Sequence, residues 1–221
     1  LQDKTVRLRG VSMDTATRAR ISADIANVTA PFRGEPFLRG PALWSAVHGE
    51  GELVLSGKVA TEAERAEILA IAKQYYARTV RDEMQVAGDP HPGWLEGVRV
   101  GLPHFARFQS GEMAFDPEET GLSFEGEASG STIAYLQQDL ATVSGPYPVT
   151  VFTDTVQVDV DEIRGIDFEA DPVAACQEAF DAVMETNKVN FETGLANITR
   201  ESGQTLDKVM TVSQRCAPDL V

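Results

Sequence analysis

Three short stretches of the chain carry the same arrangement of apolar and polar positions: TVRLRGV at 5–11, LVLSGKV at 53–59 and LSFEGEA at 122–128. Each contains a glycine, Gly10, Gly57 or Gly126, with apolar residues two and four positions ahead of it: Leu8 and Val6, Leu55 and Leu53, Phe124 and Leu122. A period of two predicts a strand with one buried face, and the glycine predicts the point where that strand ends or bends. Helical spacing follows each time. Ile21, Ile25 and Val28 form an i, i+4, i+7 stripe after the first glycine, and Ile68, Ala72 and Tyr75 repeat it at the same offsets after the second. Leu136, Leu140 and Val143 repeat it after the third, one residue nearer the glycine, as a single deletion in the turn would leave it.

Further elements complete the unit. Thr61-Glu62-Ala63-Glu64 is a capping box for the second helix. Strands are expected at 79–86 and at 149–158, the latter alternating on through Val156, Val158 and Val160. Ahead of the third copy, Leu95, Val98, Leu102 and Phe105 make another helical stripe that Pro103 must end or kink, and PALWSAVH at 41–48 is expected to be its shorter counterpart ahead of the second copy. Trp44, Trp94, Phe105, Phe108 and Phe115 fall at element spacing and are expected in the core. Each unit thus reads helix, strand, strand, helix, strand, the first copy lacking its front. The fold class expected is α+β: tandem two-layer modules, each with helices on one face of a small mixed sheet.

With 221 residues and 43% hydrophobic positions there is material for two or three modest cores. The formal charge of −15, from 34 acidic and 19 basic residues, excludes the clustered Lys and Arg of a nucleic-acid surface and opposes anionic lipid as a whole-surface effect. No apolar run reaches the ~18 residues of a membrane-crossing helix. The chain opens at Leu1 with strand-like text and closes at CAPDLV, where a further strand is expected to begin; it reads as an excerpt of a longer protein.

Candidate chemistry is sparse. His48, His91 and His104 accompany no nucleophile motif, and His104, in GLPHF, is expected as a hydrogen-bonded structural histidine. Phosphate-loop and nucleophile-elbow motifs are absent from the sequence. Seven carboxylates, at Asp154, Asp159, Asp161, Glu162, Asp167, Glu169 and Asp171, lack the glycine and terminal bidentate glutamate of a calcium loop, and a solvated outer strand face is expected. Asn27-Val28-Thr29 and Asn197-Ile198-Thr199 match glycosylation triplets, expected to be accidental. No catalytic residue, cofactor or metal ligand is assigned.

The strand–glycine–helix unit resembles the BON family of bacterial envelope modules. ELVLSGKVATEAERAEILAIA is close to that pattern, LSFEGEASGSTIAYLQQDLA is a looser version, and the resemblance extends over most of residues 1–160. Residues 176–221 resemble the opening of an OmpA-like domain: a helix, a short strand V-N-F-E-T-G with Val189 and Phe191 alternating into Gly194, then a helix from near Glu201 with Leu206, Val209, Met210 and Ser213 at helical spacing. The division expected is a front-clipped BON-like unit at 1–40, BON-like units at 41–88 and 89–165, and a truncated OmpA-like α/β segment at 166–221. These resemblances imply a non-enzymatic periplasmic protein associated with the outer membrane or cell wall. Its units would attach to envelope lipid or an envelope protein, and its parent would be tethered to peptidoglycan through residues that follow Val221. A self-associating, pore-related assembly, with a homo-oligomer among its forms, is the alternative, and an enzyme with an unrecognised site a third. Cys176 and Cys216 can close a disulfide, constraining the unfolded chain by about 4 kcal/mol, or stand as two buried thiols. An even count in an exported chain favours the bridge, and the absence of paired spacing or a nearby histidine argues against zinc.

Overall fold

The protein is described by a computed structural model that covers residues 4–11, 14–29, 31–194 and 198–216. Its elements, in chain order, are β1 (Lys4–Val11), α1 (Thr15–Ala26), β2 (Phe32–Arg39), β3 (Trp44–Gly49), β4 (Glu52–Val59), α2 (Glu62–Tyr75), β5 (Thr79–Val86), α3 (Trp94–Phe105), β6 (Ser110–Asp116), β7 (Gly121–Ala128), α4 (Gly130–Leu140), β8 (Val149–Thr155), α5 (Pro172–Thr186) and α6 (Ser202–Arg215). The fold is α+β. By internal contacts the chain divides into two units: Leu1–Gly126 with Asp139–Thr153, and Glu127–Gln138 with Asp154–Val221.

The first unit is organised by a six-stranded sheet in the order β5-β4-β3-β6-β7-β8. The order is a palindrome about the antiparallel β3·β6 pair, whose register sets Ala46 opposite Met113, Trp44 opposite Phe115 and His48 opposite Gly111. β3 and β4 form a hairpin, and β4 pairs in parallel with β5 across the crossover helix α2. In β3 the side chains of Trp44, Ala46 and His48 are buried while Val47 is exposed. This alternation makes PALWSAVH a strand and not the short helix its composition suggested: an apolar period of two buries one face of a sheet, whereas a helix would have needed spacing of three and four.

The glycines of the second and third copies occupy matching places. Gly57 (φ 93°) and Gly126 (φ 138°) are both left-handed or beyond, and a Cβ on either would meet the backbone of the neighbouring strand's start. On Gly57 it would lie 2.3 Å from the Leu43 carbonyl oxygen and 2.7 Å from the Trp44 Cα; on Gly126, 2.1 Å from the Ser110 oxygen and 2.6 Å from the Gly111 Cα. Both strands therefore bend where only glycine fits. Gly10 differs. It sits in the two-stranded parallel sheet β1·β2 opposite Leu38, whose Cδ2 is 3.4 Å from the site of a Cβ. The first copy keeps the parallel strand–helix–strand crossover but not the close approach that makes glycine obligatory in the other two.

Helix signals act as the sequence indicates. The Thr61 hydroxyl accepts from the Glu64 amide (3.1 Å), and the Glu64 carboxylate reaches back to accept from the Ala60 amide (2.9 Å), one residue earlier than a standard box. Ile68 and Ala72 are buried, but the stripe closes on Tyr76 and leaves Tyr75 exposed, because α2 stops at Tyr75 and the extended backbone of Tyr76 turns its ring inward. α3 contains Pro103 in its last turn and ends at Phe105. Val98, Leu102 and Phe105 are buried, and Gly101 lies so close to Phe124 that a Cβ would come within 2.3 Å of its ring. α3 also packs on α2, where Arg99 makes a two-pronged bond to Glu67 (2.5 and 3.1 Å). Trp44, Trp94, Phe105, Phe108 and Phe115 are all buried.

The β1–α1–β2 layer is joined to the rest of its unit by ion pairs and an aromatic stack. Arg39, itself buried, reaches both Glu112 (2.5 Å) and Glu125 (3.1 Å), and the buried Arg18 pairs with Glu119. Phe37 stacks on Phe152 at 5.2 Å.

In the second unit a small core forms from Val160, Ile163, Ala179, Val183 and Val212 around the disulfide-bonded Cys176 and Cys216, whose Cα atoms are 5.8 Å apart. Strand β8 ends at Thr155, so Val158 and Val160 belong to an irregular segment packed into this core and do not extend the strand. V-N-F-E-T-G forms no strand: Phe191 makes a single bridge to Ile198 and is 59% exposed. On α6 the buried positions are Ser202, Gly203, Thr205, Thr211 and Val212, with Val209 packed against the core, while Leu206 and Met210 are exposed. The helix turns toward α5 the face that meets the disulfide, which places the expected apolar stripe half outside.

Candidate functional site

The most distinctive polar site grows from the end of β3. His48 lies on the core face of the sheet at the edge of the β3·β6 pair, opposite Leu53 on one side and Gly111 on the other. The Tyr76 ring, brought inward by the end of α2, meets the imidazole edge-on with ring centroids 4.9 Å apart. His48 is 9% exposed and Tyr76 6%. Around them opens a cavity of about 460 Å³, whose lining includes Arg78, Arg107, Phe108 and Gln109. Arg78 follows directly from the chain reversal between α2 and β5; Arg107 follows α3.

Two polar atoms of this pocket are buried without a hydrogen-bond partner, His48 Nδ1 and the Tyr76 hydroxyl. Burial holds the imidazole below its ordinary range, the Arg78 charge pushes it the same way, and a bond to the Phe108 backbone opposes both. The ring is therefore neutral at physiological pH. Burial raises the Tyr76 phenol, against the pull of Arg78 and with a small push from Glu52. Glu52 is itself paired with Arg81 at 3.5 Å. Neither Arg78 nor Arg107 pairs with a carboxylate among the described residues, although the chain has 34 acidic side chains to offer. The site presents two positive charges, one vacant acceptor and one hydroxyl.

The palindromic sheet supplies an internal comparison. Under the exchange of β3 with β6, His48 corresponds to Phe115, and Phe115 meets Tyr147 edge-on at 4.9 Å, at 84° against 82° for His48 and Tyr76. The twin site has the same aromatic pair with a phenylalanine in the histidine's place. A polar side chain at position 48 is thus not something this packing requires.

A second concavity, of about 550 Å³, lies in the second unit and is lined by Ser131, Tyr135, Leu206, Asp207 and Met210. Its polar centre is already satisfied. Asp207 accepts from the Ser131 amide (3.0 Å) and hydroxyl, and Arg200 covers the Tyr135 ring at 5.2 Å.

The remaining sequence candidates are distributed elsewhere. His104 Nε2 is bonded to Asp139 Oδ2 at 2.9 Å, and His91 packs against Phe115 at 5.8 Å. The acidic residues from Asp154 to Asp171 do not line a strand face. Asp159 and Asp161 pair with Arg164, Asp171 caps α5 by accepting from the Ala174 amide, and Glu162 accepts from Lys208 and Asn187, which push its carboxyl down to about 2. Among the described residues no cluster of three His, Cys, Asp or Glu side chains is placed to hold a metal ion. Of the two Asn-x-Thr triplets, Asn27 donates to the Ala23 carbonyl at the end of α1, and Asn197 lies outside the described residues, as does the segment after Cys216. No described helix is long and apolar enough to cross a membrane.

In the sequence His48 stands only as one of three histidines, and Tyr76, Arg78 and Arg107 belong to no motif. The available signal was a histidine on the apolar face of an alternating run, Trp44, Ala46, His48. No family model matches the chain, and neither a curated protein nor a solved structure matches it.

Proposed function

We propose that this chain is a non-enzymatic binding and scaffold segment of a bacterial envelope protein, formed by BON-like units and followed by the opening of an OmpA-like domain that tethers the parent protein to peptidoglycan. The observation that carries the reading is the matched pair Gly57 and Gly126: the strand–glycine unit on which the BON resemblance rests is written twice into one sheet with the same backbone approach. The Cys176–Cys216 bridge supports an oxidising compartment such as the periplasm. Support for the OmpA-like part is the order of α5 and α6, without the strand expected between them. Function here is contact: a rigid sheet presents the edge strands β5 and β8, and partners attach to surfaces, with no bond made or broken.

The test is sedimentation of the purified chain with lipid vesicles and, separately, with peptidoglycan sacculi. Retention on vesicles is expected for membrane attachment by the BON-like units, and retention on sacculi for wall attachment. A chain left in the supernatant by both overturns attachment to either surface.

A further inference from the structure

We infer that the pocket of His48, Tyr76, Arg78 and Arg107 is a binding site for a phosphate group that stands beside a free hydroxyl, as in a soluble polyol phosphate. The inference goes beyond the envelope reading and does not depend on it.

Charge is the first argument. In a chain of formal charge −15, eight of the fourteen arginines pair with carboxylates: Arg7, Arg18, Arg33, Arg39, Arg65, Arg81, Arg99 and Arg164. Two arginines that have not are gathered on one cavity. Guanidinium groups bind phosphate oxygens in a planar fork, and two of them match the roughly two negative charges of a phosphomonoester, which a single carboxylate would not.

The second argument is the pair of orphaned atoms. A buried polar group with no partner costs about 1–3 kcal/mol, and this pocket carries two, on rings whose centroids are 4.9 Å apart. A neutral imidazole whose proton sits on Nε2 presents Nδ1 as an acceptor, and the Tyr76 hydroxyl can both donate and accept. A ligand hydroxyl satisfies both at once, giving its proton to Nδ1 and accepting from Tyr76. The exposed arginines would hold the phosphate above it.

Comparison with the twin site is the third. Phe115 and Tyr147 reproduce the aromatic geometry without the acceptor, so the fold tolerates phenylalanine at this place and His48 adds chemistry the packing does not need.

The experiment titrates the whole chain with glycerol 3-phosphate, inorganic phosphate, glycerol and phosphatidylglycerol vesicles, following heat and the His48 ring resonances. Expected are saturable binding of glycerol 3-phosphate and weaker binding of inorganic phosphate. The Arg78→Ala, Arg107→Ala double variant should lose at least about tenfold in affinity, since charged hydrogen bonds are involved. His48→Phe, which copies the twin site and is checked for folding by thermal unfolding, should abolish the preference for glycerol 3-phosphate over inorganic phosphate while leaving phosphate binding. Vesicle binding in addition, lost in the same arginine variant, assigns the same chemistry to a lipid headgroup as well. No saturable binding of glycerol 3-phosphate, binding to vesicles alone, or binding indifferent to both variants overturns the inference.

Discussion

At the residue scale, the three glycines separate what is required from what is repeated. Gly57 and Gly126 combine a positive φ with a neighbouring carbonyl 2.3 and 2.1 Å from where a Cβ would stand, so alanine at either forces the strand pair apart. Gly57→Ala and Gly126→Ala should each cost about 2–3 kcal/mol in urea unfolding, the scale of a strained backbone position. Gly10→Ala should be neutral or stabilising by up to about 1 kcal/mol, because its nearest neighbour is a movable Leu38 methyl and glycine weakens a strand. Equal losses at all three would show that the near neighbours do not set the cost. His48 yields a prediction of a different kind. Its folded pKa lies below the unfolded value through burial and Arg78, with Tyr76 and Arg107 also facing the pocket. The unfolded chain therefore takes up the proton first. Stability is full above an unfolded pKa of about 6.5 and falls as pH drops below it. Urea midpoints at pH 7.5 and 5.5 should show this loss in the native chain and a smaller one in His48→Phe; identical slopes would mean that the imidazole is free to charge in the folded state.

At the scale of elements, strands with one buried face were the most legible part of the chain. Leu53, Leu55 and Val59 of β4 alternate and are buried, as are Leu122, Phe124 and Gly126 of β7. Helix α2 was marked by its cap and its Ile68–Ala72 face. What stayed hidden depended on partners distant in sequence. Leu206 and Met210 have helical spacing as good as that of Thr205 and Val212, and which face of α6 turns inward is set by its packing partners, the disulfide core at one end and Ser131 and Tyr135 at the other. The 41–48 stretch was too short for its period to settle strand against helix until β4 and β6 paired with it. The pocket was least legible of all, since it joins residues from β3, the turn after α2 and the turn after α3. The disulfide itself supports an element-level prediction. It closes the α5–α6 pair over a core of few large side chains, so loss of the cross-link should weigh heavily there. With Cys176→Ser and Cys216→Ser together, amides of α5 and α6 should lose protection in native-state hydrogen exchange equivalent to about 4 kcal/mol. Those of β3, β4 and β6 should keep theirs. Uniform loss would show that the bridge supports the whole chain and not its own unit.

For the whole molecule, the decisive contact is β3·β6, because it turns two similar halves into one sheet. Across it Trp44 faces Phe115, with Trp94 at 5.5 Å, and the Trp44 indole donates toward the Met84 sulfur at 3.3 Å. Residues 41–88 alone would keep β3, β4, α2 and β5 but lose β6, α3 and the aromatic partners Trp94 and Phe115, exposing one side of Trp44 and an unpaired strand edge. A piece of that size buries too small a fraction of its surface to offset chain entropy. It should form no folded monomer. The register offers it one remedy: Ala46 lies at the centre of the pseudo-symmetric pair, so two copies of 41–88 can join β3 to β3 with Ala46 opposite Ala46 and Trp44 opposite His48, as Trp44 lies opposite Phe115 in the intact sheet. Sedimentation equilibrium combined with amide shift dispersion distinguishes the cases. A species that is either unfolded or dimeric, with folding that follows concentration, agrees with a sheet that needs both halves. A dispersed, folded monomer of 41–88 would mean that each half is self-sufficient and that the β3·β6 seam is an accessory to the fold.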